Sequence, residues 1–368
     1  MNEAVFIGFV GLGLAVTLHI LFTAMTLGTG LIAAYYRWLA YRKNDAWAEL
    51  FARKAFKVLI VSELFSGVWG TIITVFLAGF FTALTTLATN ALFIPIAIAI
   101  ASIMVRIPTI AISWYTWGKI HPKTHSLIMW VMALSGFGIP FGFRAIFAEI
   151  NNPVAVGYYL QTGNNPGFMP YENPLFWTLY LHTVAAVIST GGFVAASLMS
   201  LEKDPKGIST ALKIGFLVLM AQLSLGPLYW LSLSWYAPLL FNSVNTTFGP
   251  LFAIKLVAVA ALFILGIQAY RKIKAGAAAP GYVKWLGPLA LFIVVAGEVL
   301  NDGSRYPNMV IAGEKGLPVT LFANFYMDIP MGAVYVILAF LIFSVVVFTT
   351  AAFYALYRRF LAEVPQAE

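Results

Sequence analysis

The stretch AVFIGFVGLGLAVTLHILFTAMTLGTGLIAAYYRW, residues 4–38, contains one histidine and no ionised side chain before Arg37. A hydrocarbon layer about 30 Å thick is crossed by about 20 apolar residues in an α-helix. The stretch is longer than that, so it reads as a spanning helix that tilts or projects beyond the hydrocarbon. It starts beside Met1 without a basic leader, so a retained helix is expected and not a cleaved signal peptide. His19 stands in its middle.

The pattern recurs along the chain. Further spans are expected at roughly 58–86, 90–118, 125–150, 173–201, 209–240, 247–270, 282–301 and 329–357. The fold expected is all-α: a polytopic membrane bundle of about nine transmembrane helices, forming one domain over residues 1–368. Composition agrees, with 61% hydrophobic and 10% charged residues, where soluble domains carry about 25% charged. The segment AGAAAP at 275–280 reads as a short linker, and no internal repeat stands out.

Basic residues orient the bundle. With the connection bearing Arg37, Arg42, Lys43, Arg53, Lys54 and Lys57 inside, alternation also puts Lys119, Lys123, Lys203, Lys206, Lys213, Arg271, Lys272, Lys274, Lys284, Arg358 and Arg359 inside. Only Arg305 and Lys315 fall outside, and Arg106, Arg144 and Lys255 fall within spans. The N-terminus is therefore expected outside and the C-terminus inside. The net charge of +8 sits in short connections between apolar spans, which points to a membrane surface and not to nucleic acid. Outer connections at about 151–172 and 302–328 are rich in Asn, Gly, Pro and Tyr and read as ordered caps.

The absence of cysteine excludes disulfides, thiolate-bound metals, iron–sulfur clusters and cysteine nucleophiles. Function must then rest on polar groups at membrane depth, which are costly and usually face the bundle interior. His19 and His182 are two such groups. Each reads either as an axial ligand of heme iron or as a histidine hydrogen-bonded across helices. His121 and His125 are four apart at an inner connection and read as a solvated pair rather than a metal site. Glu298, Asp302 and Arg305 fall within two turns, with Glu298 and Asp302 on one helix face. That cluster suits iron ligation, proton transfer or pairing with heme propionates; the alternative is a salt bridge at the lipid interface. Lys255, Arg144 and Arg106 are intramembrane cations, suited to propionates or to structural ion pairs. Arg106 needs a buried acid, and Glu63 is the candidate. Trp114, Tyr115 and Trp117 read as an interfacial belt, as do Tyr229, Trp230, Trp235 and Tyr236, which could otherwise flank a quinone or porphyrin.

Some redox classes are excluded. Heme–copper oxidases need more ligand histidines than these four, including an adjacent pair. Cytochrome b of the quinol–cytochrome c reductase type needs two helices with two histidines each. A transporter stays open, because Pro108, Pro140 and Pro227 interrupt spans and broken helices line transport sites.

Three segments together resemble subunit I of the cytochrome bd quinol oxidases. LHILFTAMTLG at 18–28 is similar to the family's first-helix stretch, with His19 in register. Asn173, Pro174, His182, Thr183, Val184 and Ala185 match its helix-five pattern. GEVLNDGSRYPN at 297–308 aligns without gaps with its helix-eight motif, and Asn152–Pro153 and FAIK at 252–255 are weaker matches. The resemblance implies His19 as an axial ligand of one heme of the oxygen-reducing pair, Asp302 as ligand of the other, and His182 as ligand of a low-spin heme taking electrons from quinol. It implies Arg305 and Lys255 near propionates. The cofactors implied are heme b, with heme d or a second heme b, and quinol as substrate. The partners implied are membrane lipid and another membrane subunit, either subunit II or a second subunit I-like chain, in a cell membrane.

The chain departs from the family. The low-spin heme's methionine falls on Val257, the ligand glutamate has become Asp302, and the motif tryptophan has become Glu298. The family's two helix-three glutamates have no counterpart, and Arg106 lies near one of them. The outer quinol loop shrinks to about residues 239–246. A subunit of a bd-type terminal oxidase, passing electrons from quinol to oxygen through heme, is the expected function. A heme-poor companion subunit and a non-redox transporter on the same scaffold are the alternatives.

Overall fold

The computed structural model describes residues 3–305 and 331–354. The helices are α1 (Glu3–Lys43), α2 (Ala46–Phe80), α3 (Thr82–Ala91), α4 (Phe93–Thr116), α5 (Pro122–Asn151), α6 (Val154–Thr162), α7 (Phe176–Leu201), α8 (Pro205–Tyr236), α9 (Pro238–Asn245), α10 (Gly249–Lys274), α11 (Leu286–Gly303) and α12 (Met331–Tyr354). No strand occurs among the described residues, so the all-α bundle is as expected. Eight of these helices are long and apolar enough to cross a membrane: α1, α2, α4, α5, α7, α8, α10, and α11 with its leading 3-10 turn. The apolar helix α12 occupies the place of the ninth expected span. The ends of that span, most of the 302–328 connection, Lys315, Arg358 and Arg359 lie outside the described residues.

Local chemistry moves two boundaries. Asp45 accepts from the backbone N–H groups of Trp47 and Ala48 at 2.9 and 3.2 Å, starting α2 at Ala46 instead of 58. Arg53, Lys54 and Lys57 therefore ride on a helix. The expected span 58–86 also ends early. The Thr85 hydroxyl donates to the Leu77 and Phe81 carbonyls at 2.9 and 3.0 Å, so α2 stops at Phe80 and α3 starts as a separate element. Pro108, Pro140 and Pro227 lie inside α4, α5 and α8, which continue through them.

α7 is the most buried span, and α4 and α10 are the least. It owes its central place to small residues. A Cβ at Gly28 of α1 would come within 2.7 Å of the Gly191 Cα, and one at Gly192 within 2.7 Å of the Gly215 Cα of α8. Glycine lets these backbones touch, the usual device where lipid supplies no hydrophobic drive. α1 packs on α2, α5, α7 and α11, and α10 packs on α8 and α11.

Candidate functional site

The ends of α5, α8 and α11 meet the starts of α7 and α10 at one end of the bundle. There Arg144 of α5 reaches Glu298 of α11 through paired contacts of 3.5 and 3.3 Å, with both side chains buried. A turn further, Asn151 donates to the Asn301 Oδ1 at 3.2 Å and to the Tyr229 hydroxyl at 3.4 Å. Tyr229 donates to the same Asn301 oxygen at 3.2 Å. Arg305 donates to the Asn151 Oδ1 at 3.1 Å and is ion-paired with Asp302. Lys255 of α10 extends to the α11 backbone, where a Cβ on Gly297 would lie 3.0 Å from Nζ. The fold thus gathers Arg144, Lys255, Glu298, Asp302 and Arg305, from α5, α10 and the end of α11, into one cluster. Two ion pairs, Arg144–Glu298 and Arg305–Asp302, offset four of its five charges.

His182 joins this cluster through Tyr229. The two rings stack at 5.9 Å between centroids with 27° between planes. The His182 main-chain carbonyl accepts from the Gln222 Nε2 at 2.6 Å. Both His182 Nδ1 and Gln222 Oε1 are buried without a hydrogen-bond partner among the described residues. Gly226 lies beside the ring, where an added Cβ would stand 3.8 Å from it.

His19 of α1 is held differently. Its Nδ1 lies 2.8 Å from the Ser66 carbonyl of α2. A carbonyl only accepts, so Nδ1 carries the proton and Nε2 keeps its lone pair. The Ser66 hydroxyl also meets Thr23 at 2.7 Å. Glu63 and Glu298 both lie within electrostatic reach of His19.

The expected Arg106–Glu63 pair forms at mid-bundle. Arg106 Nε lies 3.2 Å from both Glu63 oxygens, Nη2 lies 3.0 Å from Oε2, and Nη1 donates to the Met132 carbonyl at 3.0 Å. Thr26 also donates to Glu63 at 2.5 Å, so the unit ties α1, α2, α4 and α5 together.

Two readings need correction. His125 is not part of a solvated pair: it is 0% exposed. Its Nδ1 accepts from Arg37 at 2.9 Å and its Nε2 meets the Ser113 carbonyl at 3.0 Å, while His121 caps α5. The aromatic belt divides too. Trp114, Tyr115, Trp235 and Tyr236 are exposed, but Tyr229 turns inward and Trp117 donates to Glu49 at 2.6 Å. Val257 is 70% exposed. It lies two residues from Lys255, hence on the opposite side of α10 from the cluster.

Sequence reasoning did not single out Ser66, Gln222, Asn151 or Asn301. Gln222 left a signal: a lone amide in an apolar span needs a buried partner. Ser66 left none, because it acts on His19 through its main chain.

The family model described as "Cytochrome bd terminal oxidase subunit I" matches residues 10–229, more than half of the chain. No curated protein matches. Among solved structures, the chain is similar to one in the bd oxidase from Geobacillus thermodenitrificans. The two share 18% identity with a TM-score of 0.79, over 98% of this chain and 100% of that one. At that identity the likeness speaks for the fold.

Proposed function

The chain belongs to the cytochrome bd terminal oxidase subunit I family, and from that premise we propose that it passes electrons from quinol towards oxygen through hemes held inside its bundle. It is a multi-pass membrane protein and a bd-type oxidase subunit. The observation that carries the heme reading is the state of His19. The Ser66 carbonyl fixes Nδ1 as the protonated nitrogen, and Nε2 has no hydrogen-bond partner among the described residues. A ligating histidine is ordinarily held in this way, its second nitrogen donating to a carbonyl.

The other residues fit the same group. The His182 ring lies beside the space left by Gly226. Asp302 pairs with Arg305 and Asn301 through Oδ1, leaving Oδ2 for iron. Arg144, Lys255 and Arg305 bring cations that propionates need, and Glu298 balances Arg144. Bound heme, as heme b with heme d or a second heme b, supplies the one-electron and oxygen chemistry. The chain's own residues set ligation, orientation and charge. In this reading the cluster faces outward, the basic end faces inward, and the complex sits in the cell membrane beside a second membrane subunit.

A second reading is an electron-transfer companion to a fuller subunit I-like chain. It is favoured by Val257, a side chain that cannot ligate iron where the family carries a methionine, and by the short α9 where the family carries its quinol loop. Anaerobic addition of a reduced short-chain quinol to the oxidised, purified protein tests the proposal. Reduction of bound heme is expected, and no reduction overturns electron entry through this chain. Oxygen uptake by the purified protein supplied with reduced quinol separates the two readings. Uptake marks an oxygen-reducing site, and heme reduction without uptake marks the companion.

A further inference from the structure

Two buried polar atoms without partners belong to residues that touch across α7 and α8: His182 Nδ1 and Gln222 Oε1. They are complementary, because an imidazole N–H donates and an amide oxygen accepts. The rest of the Gln222 amide is already engaged, with Nε2 donating to the His182 main-chain carbonyl at 2.6 Å. Tyr229, stacked on the ring, limits where it can turn. Leaving a buried polar group unpaired is costly. A hydrogen bond between them satisfies both atoms at once.

We propose that Gln222 is the positioning residue of His182: its amide grips the histidine at two points, main-chain oxygen and Nδ1–H, and so turns Nε2 outward as the ligating nitrogen. The inference rests on the reading of His182 as a heme ligand, and it goes beyond that reading by naming what sets the ligand's tautomer. It also separates the two histidines. His19 is held by a main-chain carbonyl that no substitution removes, whereas His182 is held by a side chain that can be exchanged.

The sign of each substitution follows. Glutamate at 222 makes the imidazole more electron-rich, which favours ferric iron and lowers the reduction potential of the His182 heme. Leucine removes the acceptor and raises it. Asparagine is one methylene shorter and falls between leucine and the wild type.

Redox titration of the visible spectrum in the wild type, Gln222→Glu, Gln222→Leu and Gln222→Asn reads these shifts. The expected result is opposite displacement of one heme by Glu and Leu, with the His19 heme unmoved. Unchanged potentials, or displacement in one direction by both, overturn the proposal. If the leucine variant does not fold, the glutamate variant decides alone: a lowered potential supports the proposal, and an unchanged or raised one overturns it. A second measurement does not need heme. With only four histidines in the chain, 15N-histidine spectra of the heme-free protein in membranes resolve the His182 tautomer. Protonation at Nδ1 in the wild type, lost in Gln222→Leu, is expected; protonation at Nε2 in the wild type overturns the proposal. A wild type that binds no heme but shows the Nδ1 tautomer defeats the functional reading and leaves the positioning role standing.

Discussion

His19 donates Nδ1–H to the Ser66 carbonyl at 2.8 Å, whereas His182 has the Tyr229 ring against its face at 5.9 Å between centroids. Each keeps one nitrogen for a ligand. His182→Ala is therefore expected to remove one heme from the purified protein and leave the other, and His19→Ala to do the converse, both read by heme-to-protein ratio. Unchanged heme in either variant refutes that ligand. The two histidines were legible in the sequence because an imidazole at membrane depth is rare and costly. His125 misled because its partner Arg37 lies 88 residues away. Its sequence neighbours, Lys123 and His121, suggested water. Asn151, Tyr229 and Asn301 were not legible as a network, because uncharged polar side chains at helix ends serve equally well as caps, belts or contacts. Only the packing of α5, α8 and α11 selects among these.

At the scale of elements, Arg106 and Glu63 hold four helices to one point. Arg106 is 1% exposed and the Glu63 side chain 23%. Removing one partner of a buried pair strands the other charge, at a cost of about 3–5 kcal/mol. Arg106→Ala is thus expected to lower the Tm clearly in a detergent thermal-shift assay. Adding Glu63→Gln should recover part of the loss, because it removes the stranded charge. A double variant less stable than the single would contradict this account. The pair was legible, since an intramembrane arginine demands an acid and the candidates were few. The break at Phe81 was not, because TALTTLATN at 82–90 reads as continuous helix until the Thr85 hydroxyl meets the Leu77 carbonyl. The long apolar spans were the most legible elements, since hydrocarbon thickness alone sets their length.

For the whole molecule, the positive-inside pattern predicts that the Asp302 cluster faces outward and the basic end inward. The cysteine-free sequence makes that testable without background. A membrane-impermeant maleimide should label exposed Asn164→Cys in intact cells, and Lys274→Cys only after the membrane is opened. The reverse pattern would invert the bundle. The central claim is that this bundle holds heme. Its most direct test is a pyridine-hemochrome assay with a reduced-minus-oxidised spectrum of the purified wild-type protein. The account predicts tightly bound heme with a b-type component; protein that is folded and free of heme contradicts it.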